Sequence, residues 1–93
     1  MNNTHLLVGS LSNDLFRVAS LTQRGSTTAA LRFALEAKRW ANSIQENEVA
    51  PYIHRIVLEI SKEELKVITI EDAEKYLMYG VLLQNYALHT AES

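Results

Sequence analysis

The clearest periodic stretch of the chain runs from Thr27 to Ile44, where Ala30, Ala34, Ala37, Ala41 and Ile44 recur at steps of four, three, four and three residues. Those steps keep the five positions on one side of a helix, and side chains this small let a neighbouring backbone come close. Phe33, Ala37, Trp40 and Ile44 add a bulkier row beside that seam. The segment reads as the centre of a small helical domain. Upstream, Val8, Leu11, Leu15 and Val18, with Leu7, Phe16 and Leu21 beside them, recur at helical spacing and predict a helix over 5–23. Arg24 and Gly25 end it, the glycine being free to take the left-handed conformation that closes a C-terminus, and Ser26 or Thr27 caps the next helix. So short a connection predicts an antiparallel helical hairpin.

The second helix frays through the polar positions of 42–48, which read as a long loop. Pro51 suits the first position of a new helix, where its missing N–H would have been unpaired in any case. Ile53, Ile56, Val57 and Ile60 share one face of that helix. RIVLEI and LKVITI are rich in β-branched residues, which leaves an α+β alternative with a β-hairpin at about 55–70. Ser61 with Glu64, and Thr69 with Asp72, have capping-box spacing and argue instead for a helix, a short helix and a longer helix. The expected fold is therefore all-α: one domain over 1–93, a small bundle with an N-terminal hairpin and a long C-terminal helix from Ile70 to about His89.

The middle of that last helix, YLMYGVLL, is apolar for eight consecutive residues from Tyr76 to Leu83. A helix apolar on every side has to be surrounded. Lys75 and Gln84 bracket the run, which is far short of the ~20 residues of a membrane span. A chain of 93 residues can hardly enclose one of its own helices, so part of this one is expected to meet another chain, most simply a second copy. Tyr76, Tyr79, Leu83 and Tyr86 lie near one face, and tyrosine joins an apolar ring to a polar tip, a combination suited to surfaces that become buried on binding. Gly80 is the expected crossing point against the alanine seam or its symmetry mate. These five are the interface candidates.

Composition narrows the chemistry. No cysteine is present, which removes disulfides, thiolate zinc sites and thiol nucleophiles and suits a cytoplasmic protein. The start of the chain lacks a basic region ahead of an apolar stretch of signal-peptide length. The net charge of −2 hides a split: residues 1–45 carry +3 and residues 46–93 carry −5. The basic half holds Arg24, Arg32, Lys38 and Arg39 on a helix–turn–helix outline, and Arg24, Ser26 and Thr27 offer a cation, hydroxyls and free N–H groups at a helix start. Nucleic-acid or anion contacts are the alternative this supports, against the negative overall charge and the absence of a GxxxxGK loop.

His5, His54 and His89 are scattered, and the acids Glu63, Glu64, Glu71, Asp72 and Glu74 stand where helix starts favour negative charge. No metal or cofactor is expected, nor a catalytic constellation. The sequence thus predicts a non-enzymatic helical interaction or regulatory protein, cytoplasmic and homodimeric, whose partners are itself and another protein. The alternative is a nucleic-acid-binding regulator.

Overall fold

The computed structural model describes residues 3–64 and 67–91, apart from the side chains of Thr90 and Ala91. Among the described residues the chain is all helical: α1 Thr4–Gln23, α2 Thr27–Asn42, a 3-10 turn Glu46–Glu48, α3 Pro51–Lys62 and α4 Ile70–Ala91. The helices pack as a small bundle around one cluster to which all four contribute.

The turn after α1 closes as the glycine predicts. Gly25 has φ 82°, its N–H bonds the Thr22 carbonyl at 3.0 Å, and the Ser26 N–H reaches back to the Leu21 carbonyl at 2.9 Å. This pair of bonds satisfies two carbonyls at the helix end and turns the chain back on itself. Ser26 occupies the position before α2, yet its side chain makes no capping bond. The alanine seam points inward: Ala30, Ala37, Ala41 and Ile44 are buried and Ala34 is half-buried.

The hub of the bundle is α1, not α2. It lays its most extensive packing against α4 and its next against α2, while α2 also touches α3 and α3 meets α4 only lightly. Val8, Leu11, Ser12, Leu15, Val18, Ala19 and Thr22 are all buried, an arc wide enough for two neighbours. Ser12 accounts for the discrepancy with the sequence. It is a polar residue among the apolar positions of α1, but its Oγ donates to the Gly80 carbonyl at 2.7 Å and so lies wholly inside. Gly80 accordingly crosses α1, while Ala34 and Ala37 of the seam line a hollow with Leu15, Ile60 and Tyr76. Because Leu15 lies near Tyr76 and Ser12 near Gly80, numbers rise along α1 as they fall along α4, and the two helices run antiparallel.

The 55–70 ambiguity resolves in favour of helix for its first arm, since 55–62 lie within α3. Its face of Ile53, Ile56, Val57 and Ile60 is buried, and a strand would have sent alternate members outward. The short extra helix expected after Ser61 does not form among the described residues. Ser61 sits inside α3 and donates to the Leu58 carbonyl at 2.8 Å, so it is not a cap. Leu65 and Lys66, part of the LKVITI arm, lie outside the described residues. The second capping box does form: the Thr69 N–H bonds Asp72 Oδ2 and the Asp72 N–H bonds Thr69 Oγ1, both at 3.1 Å, just ahead of α4. The polar run 42–48 is also more ordered than a loop. Gln45 and Glu48 form a reciprocal box of their own around the 3-10 turn.

Candidate interaction surface

Two heptad stripes run along α4. Ala73, Tyr76, Gly80, Leu83 and Ala87 are buried, and they face the rest of the bundle. Small residues every seven positions, Ala73, Gly80 and Ala87, let α1 lie close: a Cβ placed on Gly80 would stand 2.9 Å from the Phe16 ring. The other stripe is Ile70, Glu74, Leu77, Val81, Gln84 and Leu88, and every member is exposed. Leu77 and Val81 are each 44% exposed and Leu88 61%, with Met78 and Leu82 open alongside them. Water wets this apolar strip at a cost proportional to its area, so a partner that covers it gains that amount.

The sequence-based candidates fall mainly on the opposite side. Tyr76, Gly80 and Leu83 belong to the chain's own core. Tyr79 and Tyr86 are half-buried and seal the rim between α3 and α4. The Tyr79 hydroxyl donates to Glu59 at 2.8 Å, and the Tyr86 hydroxyl accepts the Ala50 N–H at 3.0 Å with the Tyr52 ring edge-on to it. Their polar tips are thus already engaged within the chain.

Around Tyr79 the ionic groups act as a clasp. Lys75 Nζ stands 3.0 Å from Glu59 and 4.0 Å from Glu63. Partial burial pushes the Glu59 carboxyl up, but the bonds from Lys75 and Tyr79 outweigh it and hold it below the ordinary range. Burial likewise pulls Lys75 down while Glu59 and Glu63 raise it, with a net rise. Tyr76 and Tyr79 are both raised, first by burial and then by the neighbouring carboxylates. Each shift favours the charged pair with neutral phenols, an arrangement that fastens α3 to α4 and leaves no activated nucleophile at neutral pH.

A second polar group is buried between α1 and α2. Asp14 is 2% exposed, and Oδ1 takes a bond from Arg17 at 3.2 Å while Oδ2 has no hydrogen-bond partner. Burial raises its carboxyl above 3.8, Glu36 adds to the rise, and Arg17 with the nearby Trp40 indole opposes it. Arg17 in turn lies over the Phe33 ring, 5.3 Å from its centroid. A carboxyl easier to protonate in the folded state than in the unfolded chain stabilises less as it ionises. This contribution is fully present below the unfolded value of 3.8 and is lost as pH rises through the folded value. Asp14→Asn should therefore raise the thermal midpoint at pH 7 by a few degrees and flatten its slope with pH just above 3.8. A thermal-denaturation series from pH 3 to 7 checks this, and a lower midpoint at pH 7 would show that the charge is needed.

The basic alternatives lie mostly at the surface. Arg24, Ser26, Thr27, Arg32 and Arg39 are exposed, whereas Lys38 is half-buried and donates to the Glu63 carbonyl at 3.0 Å, capping the end of α3. Two surface hollows among the described residues are small. One of about 200 Å³ is lined by Glu36, Arg39, Trp40 and Ser43, and one of about 130 Å³ by Tyr52, Arg55, Ile56, Glu59 and Tyr79. Small-molecule sites usually enclose about 300–1,000 Å³. No helix among the described residues is long and apolar enough to cross a membrane, and no three potential metal ligands gather there. No family model, no curated protein and no solved structure matches this chain, which leaves the chemistry of its own surface to indicate its function.

Proposed function

We propose that this is a non-enzymatic protein-interaction module that works as a homodimer in the cytoplasm, joined through the outer stripe of α4. The observation that carries the reading is the exposure of Leu77, Val81 and Leu88 on one line, flanked by Met78 and Leu82. An isolated exposed leucine is ordinary, but a line of them repeating every seven or four residues has the geometry of a helix seam awaiting another helix. The absence of cysteine suits a reducing compartment. The Glu59–Lys75–Tyr79 clasp, whose groups are engaged with one another, supports binding over catalysis.

Light scattering after size exclusion tests the reading. The chain should elute with twice the mass of a 10.5 kDa protomer at micromolar concentration. Leu77→Glu should return it to a monomer with unchanged helical circular dichroism, because the residue is open to water in the isolated chain. A wild-type protein that stays monomeric up to hundreds of micromolar would end this reading.

A further inference from the structure

The outer stripe of α4 is self-complementary when read backwards. Ile70 and Leu88, Glu74 and Gln84, and Leu77 and Val81 are equidistant from position 79. A two-fold axis beside the middle of the helix therefore brings Ile70 onto Leu88 of a second copy and Leu77 onto its Val81, while Glu74 meets an amide, Gln84. In heptad terms every layer pairs an a position with a d position, the layering of antiparallel coiled coils.

We infer that the occupant of this face is a second copy of the chain with its α4 antiparallel, in the register that sets Ile70 opposite Leu88 and Glu74 opposite Gln84. The inference rests on the dimer reading above and fixes its geometry. Charge decides between the two possible directions. A parallel, in-register pair would stack Glu74 on Glu74 and Gln84 on Gln84, placing two carboxylates in one layer of the seam, whereas the antiparallel pair gives each carboxylate an N–H donor. The neighbouring line repeats the pattern. Glu71 falls beside Asn85 of the second copy, and Met78 beside its own mate. The acidic start of α4, with Glu71, Asp72 and Glu74, is thus kept away from its copy, and the two helix dipoles run in opposite directions. On the remaining side Ala73, Gly80 and Ala87 are buried within the chain's own bundle, Gly80 against α1, so the seam has one free flank and one position along the helix.

A cysteine-free chain makes the test clean. Ile70→Cys and Leu88→Cys are prepared separately, both at exposed positions, and treated with a short thiol cross-linker alone and as a mixture. In the antiparallel register the mixture should give abundant linked dimer and each variant alone little, since residues 70 of the two copies lie about 27 Å apart along the axis at ~1.5 Å per residue. Gln84→Lys should tighten the dimer roughly threefold through two new contacts to Glu74, and the gain should vanish in high salt. A dimer by light scattering that instead links Ile70→Cys to itself, or weakens with Gln84→Lys, overturns the antiparallel register while the dimer stands. A strict monomer at every concentration removes the dimer itself, and this inference with it.

Discussion

Leu83→Ala is expected to cost about 2–5 kcal/mol of folding stability, whereas Leu82→Ala, one residue earlier on the same helix, should cost under about 1 kcal/mol. The two residues have equal volume and equal helix propensity, so the difference isolates burial. Leu83 is fully enclosed by the core cluster, while Leu82 is 39% exposed on the open side of α4. Truncating Leu83 removes the transfer free energy of its side chain and leaves a cavity between helices that Ser12 and Gly80 hold in place, so little collapse can offset the loss. At roughly 4–8 °C per kcal/mol for a chain this size, Leu83→Ala should lower the thermal midpoint by 10 °C or more. The comparison belongs at low protein concentration, because a dimer joined on the Leu82 side would add its own mass-action stability. Urea titrations with equal slopes and midpoints that separate as described would confirm which stripe is the core. Equal small losses would mean that the inner stripe of α4 is not packed as it stands here.

That distinction was the part of the molecule least legible in the sequence. YLMYGVLL is apolar at every position, so periodicity identifies a helix that must be covered on more than one side but not which residues face inward. Tyrosine chemistry drew attention to side chains whose tips have partners inside the chain, since Tyr79 and Tyr86 use their hydroxyls on Glu59 and Ala50. The signal that could have found the inner side was the spacing of Ala73, Gly80 and Ala87, the same small-residue logic that identified the alanine seam of α2. The hub role of α1 was hidden by Ser12, whose hydroxyl is satisfied only by a partner 68 positions away. Local chemistry was legible wherever its partners are local. The glycine-closed end of α1, proline at the start of α3 and the Thr69–Asp72 box each depend on residues within five positions. The β-branched run in α3 misleads for the complementary reason. Its propensity favours a strand by a margin that four isoleucine and valine side chains buried on one helical face easily outweigh.

Gly80→Leu should destabilise the fold by about 2–4 kcal/mol, and Gly80→Ala should fall within about 1 kcal/mol of wild type. Alanine brings two opposed effects. Replacing a mid-helix glycine gains about 1 kcal/mol of backbone preference. Its Cβ would meet the Phe16 ring at 2.9, 3.0 and 3.3 Å, closer than the ring can stay. Phe16 is half-buried, however, and the atoms approached are the far end of its side chain, so the ring can swing toward solvent and the two effects nearly cancel. Leucine has no such escape, because three further carbons must enter a seam whose width is set by the 2.7 Å bond from Ser12 Oγ to the Gly80 carbonyl. The helices have to part, which breaks that buried bond at about 1 kcal/mol or more and adds an overpacking cost of about 1–3 kcal/mol. Phe16→Ala in the Gly80→Leu background should then recover part of the loss, because the smaller side chain frees the volume the leucine needs. A double-mutant cycle by chemical denaturation measures this directly, and a favourable coupling above about 1 kcal/mol is expected for residues in contact. Strictly additive losses would show that the leucine is relieved somewhere other than at Phe16, and would place the tightest crossing of α1 and α4 away from Gly80.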